Sequence, residues 1–301
     1  MKQSDKATLI GLIAIVLWSL IVGLIRSVSD SLGVTGDAAL IYTLASVFLL
    51  LSVGWVRLRD FPRRYLIWGS VLFVCYELCL ALSIGYAHNS QQAIEVGMVN
   101  YLWPTFTIVA AILFNKQKAN WLLAPGLLLS MMGISWILGG EQGLSLHNIW
   151  LNVQDNPLSY GLAFSGALIW AGYSTMTARI AQGKNGITLF FMLTAAALWV
   201  KYLVQGAPAM TFTGPALVYF LLAAMAMGFA AWNVGILHGN VTILAGASYF
   251  IPVFSAALST VLLQAPLTLT FWQGSAMVCL GALLCWLAIR VRKPRSLKSA
   301  A

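Results

Sequence analysis

Two stretches of the chain, 148 residues apart, have related sequences: NYLWPTFTIVAAIL (100–113) and SYFIPVFSAALSTV (248–261). Tyrosine, proline and phenylalanine recur at the same three places in both stretches. The same offset aligns two glycines further along, and an offset of 152 aligns two tryptophans. The matched pairs are Tyr101/Tyr249, Pro104/Pro252, Phe106/Phe254, Gly126/Gly274, Gly133/Gly281 and Trp18/Trp170. Because proline inside an apolar helix removes a backbone hydrogen bond, its recurrence at one position indicates an internal repeat.

The composition of the 301 residues indicates whether this chain folds in water or in a membrane. Apolar residues make up 60% of the chain and charged residues only 8%, against about 25% charged in ordinary globular domains. A soluble protein of this size needs far more charge at its surface, so a cytosolic enzyme and a disordered chain are excluded. An all-α integral membrane protein is predicted instead.

Apolar runs of about twenty residues are long enough to cross the hydrocarbon core of a bilayer as helices. We predict ten, at roughly 7–25, 38–56, 65–86, 93–114, 121–139, 158–181, 187–204, 215–237, 241–263 and 271–290. The longest connection divides them five and five. The predicted organisation is a first five-helix repeat (1–139), a periplasmic connection (140–157), a second repeat (158–290) and a basic cytoplasmic tail (291–301).

The distribution of lysine and arginine predicts the orientation of the spans. With both termini in the cytoplasm, fifteen of the seventeen Lys and Arg residues fall on the cytoplasmic side, and only Arg26 and Lys201 face out. The net charge of +9 is therefore interpreted as an insertion signal and not as a nucleic-acid site. Five spans is an odd number, so the second repeat enters the membrane from the opposite side. Such inverted repeats surround a central cavity in alternating-access transporters.

Longer strings add a family resemblance that covers nearly the whole chain. They are IGLIAIVLWS (10–19), QAIEVGMVNYLWP (92–104), AAWNVGILHGNVTI (230–243) and FWQG (271–274). With ten spans in five-plus-five order, the chain resembles the EamA-type branch of the drug/metabolite transporter superfamily, in particular its bacterial aromatic amino acid exporters. The resemblance implies a carrier in the bacterial inner membrane that moves Phe, Tyr and Trp out of the cytoplasm.

The two mid-span prolines indicate where a substrate cavity would lie. Pro104 and Pro252 are expected to kink their helices and to free the backbone carbonyls of Asn100 and Ser248. Tryptophans in the middle of spans cannot belong to an interfacial belt, so they are candidates for stacking on an aromatic substrate. The candidate substrate-binding residues are Trp18, Asn100, Tyr101, Trp103, Trp170, Tyr173, Asn233, Ser248 and Tyr249.

Two carboxylates, Glu77 and Glu95, lie within predicted spans. A charge in the membrane is costly, so each is a candidate coupling group or a partner for a cationic substrate. This leaves open an alternative function, a multidrug exporter of flat aromatic cations with Glu77 as the counter-charge. Either residue could also have a purely structural role.

No motif in the chain indicates chemistry on the substrate. There is no nucleotide-binding loop or nucleophile elbow, and His88, His147 and His238 stand at no metal-ligand spacing, so no enzyme activity, cofactor or metal is expected. An intramembrane enzyme is the competing class, but the chain lacks the clustered acids or histidines that it needs. Four cysteines in apolar runs are predicted to be small buried side chains, and whether the protein is a monomer or a homodimer stays open. The cysteines are Cys75, Cys79, Cys279 and Cys285.

Overall fold

The computed structural model describes residues 3–55, 57–116, 118–228, 231, 238 and 241–289. Within these ranges the chain forms helices and no strand. Predicted site residue Asn233 and the predicted basic tail 291–301 lie outside the described residues. The α-helices are α1 Gln3–Leu32, α2 Val34–Ser52, α3 Arg63–Gly85, α4 Ser90–Asn100, α5 Trp103–Asn115, α6 Leu123–Leu138, α7 Leu146–Asp155, α8 Pro157–Ile180, α9 Ile187–Val204, α10 Gly214–Gly228, α11 Val241–Ser248, α12 Ile251–Leu263 and α13 Leu269–Ile289.

Most of these helices are apolar over their whole length. In the described part of the chain, six segments are long and apolar enough to cross a membrane: Asp5–Leu32, Val34–Ser52, Arg63–Gly85, Ser90–Asn115, Ile187–Val204 and Leu269–Ile289. Three shorter apolar helices accompany them, at Leu123–Leu138, Gly214–Met227 and Ile251–Leu263. Large apolar side chains such as Leu51, Ile67 and Val261 are exposed on the outside of the bundle. The predicted all-helical, multi-pass membrane protein is thereby confirmed.

The prolines divide two predicted spans into two helices each. The fourth span was predicted as one helix over 93–114, but α4 ends at Asn100 and α5 begins at Trp103. Pro104 lies in the first turn of α5, where amides have no partner within the helix and proline is well tolerated. Pro252 occupies the same place in α12. Both prolines therefore begin a new helix and do not kink a continuous one.

The two breaks have the same local geometry. The amide of Leu102 donates to the carbonyl of Val99 at 3.2 Å, and the amide of Phe250 donates to that of Ala247 at 3.1 Å. At the far ends of α5 and α12, Lys116 and Gln264 adopt left-handed conformations with φ of 55° and 50°. Every one of these equivalences has the sequence offset of 148 residues.

The connection between the two sets of predicted spans contains a helix that the sequence analysis did not predict. Helix α7 begins after Ser145, whose hydroxyl accepts a hydrogen bond from the Asn148 amide, which is a typical N-cap. One face carries Ile149 and Val153, which pack against the core, while Trp150 is exposed. This amphipathic pattern is typical of a helix that lies along a membrane interface.

Helices from the two halves of the sequence pack closely against each other. The most extensive helix pair is α6 with α13, and glycines allow the two backbones to meet. A Cβ atom on Gly133 would lie 2.7 Å from the carbonyl oxygen of Gly274, and one on Gly281 would lie 2.6 Å from that of Gly126. Other large contacts join α3 with α8, α2 with α9, and α1 with both α10 and α12.

The cysteines are all free, and three of them are buried as predicted. Cys75 is an exception, because it is exposed on the surface of α3. The prediction that it is buried was wrong, since Cys75 continues a row of exposed residues along the first half of α3 that includes Ile67 and Val71. A thiol is apolar enough to face lipid.

Candidate functional site

A cavity of about 290 Å³ lies in the middle of the bundle, beside the breaks between α4 and α5 and between α11 and α12. Of the residues predicted for the site, those that line the cavity are Trp18, Glu77, Asn100, Tyr101, Trp103, Trp170 and Ser248. The remaining lining residues are mostly apolar: Ile21, Val22, Phe73, Tyr76, Leu80, Gly97, Ile187, Phe191, Met227 and Ile251. Largely apolar walls with a few polar groups are typical of small-molecule sites.

Trp170 of α8 is the centre of an aromatic cluster on one wall. Its ring centroid lies 4.5 Å from that of Tyr76, 6.0 Å from that of Trp103 and 6.2 Å from that of Phe73. The Trp103 contact is edge-to-face, with 73° between the ring planes, and the other two are tilted. Because tilted and edge-to-face pairs are favourable, the rings hold one another in place and form one aromatic wall.

Two of the predicted site residues lie behind or away from the cavity wall. The ring of Tyr173 is 5.2 Å from that of Trp170 and 5.4 Å from that of Phe73, so it supports the aromatic wall from behind. The Tyr249 ring packs 5.9 Å from that of Trp286 on α13, away from the cavity.

Two polar groups in the wall could hold a charged part of a ligand. Glu77 is only 5% exposed, and its Oε2 atom accepts a hydrogen bond of 2.6 Å from the hydroxyl of Tyr42 on α2. The side chain of Asn100 is 3% exposed, and its Oδ1 atom is buried without a hydrogen-bond partner among the described residues. A buried acceptor of this kind is costly unless a ligand or water completes it.

Glu95 belongs to a different site at one end of the bundle, where α4 and α8 begin. Its carboxylate accepts hydrogen bonds from Gln91 at 3.0 Å and from Asn152 and Tyr160 at 2.9 Å each. We call Gln91, Glu95, Asn152 and Tyr160 the end network. It joins α4, α7 and α8, and it is separate from the cavity lining.

Asp155, at the end of α7, extends this polar region. It accepts hydrogen bonds from Gln92 at 2.9 Å and from His88 at 3.1 Å. These two hydrogen bonds hold the pKa of the Asp155 carboxyl below its usual range. Asn156 donates to the Gln92 side chain at 2.9 Å and so continues the link into α8.

On the same end of the bundle, Arg26 joins α1 to the chain after α3. Its guanidinium donates to the carbonyl of Ala87 at 2.6 Å and pairs with Asp30 at 2.8 Å. Nearer the cavity, a Cβ atom on Gly97 would lie 2.9 Å from the Val22 side chain, so α1 and α4 touch there. This contact lies between the cavity and that end of the bundle.

Sequence reasoning missed several residues of the cavity and the end network. Phe73, Tyr76 and Phe191 line the cavity but were not among the predicted site residues. The spacing of Phe73, Tyr76 and Glu77 on one side of α3 was a usable signal. No sequence signal indicated Tyr160 and Asn152, because their contacts with Glu95 depend on how α7 and α8 pack against α4.

The described residues contain no group of three or more His, Cys, Asp and Glu side chains that could hold a metal ion. What the cavity can do is bind a flat apolar group against the Trp170 cluster and a positive group beside Glu77 and Asn100. Apolar helices around a buried aromatic cavity of this kind define a membrane transporter.

Comparison with known proteins gives the family. The EamA-like transporter family model matches residues 5–139. The aromatic amino acid exporter YddG of Salmonella typhimurium is 60% identical over 291 residues, which cover 96% of this chain and 99% of that protein. YddG of Escherichia coli K12 is 60% identical over 288 residues, covering 95% and 98%. The chain belongs to the EamA-like transporter family.

Two more distant relatives also match most of the chain. An aromatic amino acid exporter YddG from Ancylobacter novellus is 26% identical over 265 residues, covering 85% of this chain and 88% of that protein. One solved crystal structure, 23% identical, superposes with a TM-score of 0.65 over 94% of this chain and 98% of the other, which shows a shared fold.

Proposed function

We propose that this protein exports the aromatic amino acids Phe, Tyr and Trp from the cytoplasm by secondary transport with alternating access. The observation that carries the proposal is the central cavity, whose lining combines the Trp170 cluster with the polar residues Glu77 and Asn100. Relatives that are 60% identical over nearly their full length are named as exporters of this substrate class.

The architecture proposed for this transport is an inverted repeat of ten membrane spans, with halves at 1–139 and 158–290 joined by 140–157. The matching helix breaks and left-handed helix ends, all 148 residues apart, support the repeat. In this scheme each broken span consists of two helices, α4 with α5 and α11 with α12.

The packing between helices supports a two-fold relationship of the halves. Exchange of the two halves turns the contact of α3 with α8 into that of α10 with α1, and the contact of α5 with α8 into that of α12 with α1. The same exchange turns the Gly133–Gly274 contact into the Gly281–Gly126 contact. Two halves related in this way can alternate between conformations that open the cavity to opposite sides.

The inner membrane of a bacterium is the proposed location, with both termini and the tail 291–301 in the cytoplasm. Fifteen of the seventeen Lys and Arg residues then lie on the cytoplasmic side, as the positive-inside rule requires. In this orientation the end network and α7 lie on the periplasmic side. The contact between α1 and α4 at Val22 and Gly97 then lies on the periplasmic side of the cavity, and we propose that export requires these helices to separate there.

In the proposed binding mode, the substrate ring stacks against Trp170 and Trp18. The ammonium group is held by Glu77 and the Oδ1 atom of Asn100, both of which accept hydrogen bonds. Each aromatic contact contributes about 0.5–1.5 kcal/mol beyond area burial, which gives modest affinity. Modest affinity suits an exporter, because a tightly held ligand leaves slowly.

The second candidate function is export of flat aromatic cations. It is favoured by one observation, a carboxylate in an aromatic pocket, because carboxylates and ring faces both attract cations. Neither function requires a reaction on the substrate, and we propose that the chain is not an enzyme.

The test is efflux from proteoliposomes that contain the purified protein and radiolabelled Phe, with and without an imposed pH gradient. We expect saturable efflux of chemically unchanged Phe, and a dependence on the gradient would identify proton coupling. Efflux equal to that of protein-free liposomes would refute the proposal, and a chemically altered product would indicate an enzyme.

A further inference from the structure

A second cavity, of about 590 Å³, lies at the end of α2, between the loop to α3 and the first turns of α9. It is separate from the central cavity and shares no lining residue with it. We infer that it binds the headgroup of an anionic phospholipid. This inference does not depend on which substrate the protein transports.

The charge of the lining fits a phosphate diester. Arg57 and Arg59 both line the cavity, and within the described residues neither of them forms an ion pair. One carboxylate, that of Asp60, also lines it, so the lining keeps a net positive charge. Guanidinium groups match phosphate oxygens with two parallel hydrogen bonds, which makes arginine well suited to this recognition.

The first turn of α9 forms the opposite wall. Backbone amides at a helix N-terminus favour an anion, and α9 begins at Ile187, immediately before the lining residue Thr188. The Thr188 side chain is 1% exposed, and its hydroxyl has no hydrogen-bond partner in the described part of the chain. An anion held between Arg57 and this helix end would thus meet donors from two sides.

The rim of the cavity distinguishes a lipid from a free phosphate ion. Trp55 is 71% exposed, and Leu58 and Met192 are also exposed and apolar. A tryptophan at the end of an apolar helix is typical of the headgroup level of a membrane. Met192 lies on α9 one turn further into the bilayer, where an acyl chain below the headgroup would run. Inorganic phosphate would leave this apolar surface without a partner.

A bound lipid would join the α2–α3 loop to α9. These two elements belong to different halves of the proposed repeat, and α2 and α9 form one of the large contacts between the halves. The lipid would therefore connect the two halves of the protein, and transport is proposed to require that these halves move relative to each other.

Binding can be measured with purified full-length protein in detergent and phosphatidylglycerol that carries a fluorescent acyl chain. The Arg57→Gln/Arg59→Gln variant is expected to bind it about tenfold more weakly, because two charges at the headgroup are lost. The matched control is Arg63→Gln/Arg64→Gln, which removes the same charge from the start of α3 outside the cavity and should change binding less than about twofold. All four arginines precede or begin α3, and unchanged thermal unfolding would show that both variants are folded.

Three competitors distinguish an anionic lipid from other molecules that carry a phosphate group. Unlabelled phosphatidylglycerol should displace the probe, whereas inorganic phosphate and phosphatidylcholine at the same concentration should not. Displacement by inorganic phosphate alone would overturn the assignment to a lipid. Equal weakening in both arginine variants would overturn the site itself, because it would show a response to overall charge only.

Discussion

The indole ring of Trp170 lies 4.5 Å from the phenol ring of Tyr76, centroid to centroid, in the wall of the central cavity. This contact joins α8 to α3, two helices from different halves of the chain that pack together along much of their length. An aromatic wall built from both halves changes shape when the halves move. The site and the proposed transport movement are therefore physically coupled.

Replacement of Trp170 or Trp18 by Ala should lower the transport rate of Phe at least about tenfold, because each change removes an aromatic surface from the cavity. The measurement is initial efflux from proteoliposomes at matched protein content. Trp68→Ala is the control, since Trp68 is 52% exposed on α3 and does not line the cavity. Unchanged rates in both cavity variants would contradict the stacking role.

Glu77→Gln separates the two candidate functions. If the neutral zwitterion is the substrate, the Gln side chain still offers an acceptor beside Asn100, and Phe transport should fall only a few-fold. Transport of a flat dication should be lost, because the counter-charge is gone. Glu141→Gln, in the exposed loop after α6, is the matched control. Dication transport that survives the Glu77 change would exclude the role of this carboxylate as a counter-charge.

Tyr160→Phe removes one hydrogen bond to Glu95 from the end network, where the donor and acceptor are 2.9 Å apart. Loss of an intramolecular hydrogen bond costs about 0.5–1.5 kcal/mol, so α4, α7 and α8 should separate more often at this end. Labelling of an engineered cysteine at Leu80, which lines the cavity, by a membrane-impermeant reagent from that side reports the opening. Tyr202→Phe, which removes a hydrogen bond to the carbonyl of Pro208, is the control. Equal labelling in wild type and Tyr160→Phe would argue against the network as a gate.

The lowered pKa of Asp155 predicts an acid-sensitive α7. A carboxyl whose pKa is lower in the folded state stabilises that state above its unfolded pKa of about 3.9, and the contribution is lost as the pH falls further. Hydrogen exchange of residues 146–155 should therefore become faster as the pH falls below about 4, after correction for intrinsic rates. Asp155→Asn should remove that additional pH dependence. If the faster exchange at low pH persists in Asp155→Asn, another titrating group causes it.

The glycine contact between α6 and α13 predicts a strong local constraint. Gly133→Ala places a methyl group where a Cβ would lie 2.7 Å from the Gly274 carbonyl oxygen, and such overpacking costs about 1–3 kcal/mol. Gly161→Ala on α8 is the matched control, because a Cβ there meets nothing within 4 Å. We expect a lower unfolding temperature for the first variant and an unchanged or higher one for the second. Equal temperatures would show that the helices can separate at no cost.

The all-helical membrane fold could be predicted from sequence because it depends on residue type alone. Apolar length predicts a membrane helix, and Pro104 and Pro252 mark equivalent positions whatever surrounds them. The helix breaks were harder to predict, since a proline within an apolar run is compatible with both a kink and a new helix. Hydrogen bonds around Leu102 and Phe250 distinguish the two.

The site was only partly predictable because cavity lining depends on how helices pack. Trp170 and Tyr173 share a helical face, yet only Trp170 lines the cavity, while the Tyr173 ring packs against Phe73. Glu95 was a candidate as an intramembrane carboxylate, but it forms a polar network with Gln91, Tyr160 and Asn152. Asn152 belongs to α7, which had been predicted only as a connection.

The central claim, that this cavity carries aromatic amino acids, is tested most directly by counterflow. Proteoliposomes are loaded with unlabelled Phe, Tyr, Trp or Leu and diluted into a trace of labelled Phe, with wild-type protein and with Trp170→Ala. We predict transient accumulation of label in vesicles loaded with Phe, Tyr or Trp, little with Leu, and a strong reduction in the variant. Equal accumulation with Leu, or full activity of Trp170→Ala, would contradict the claim.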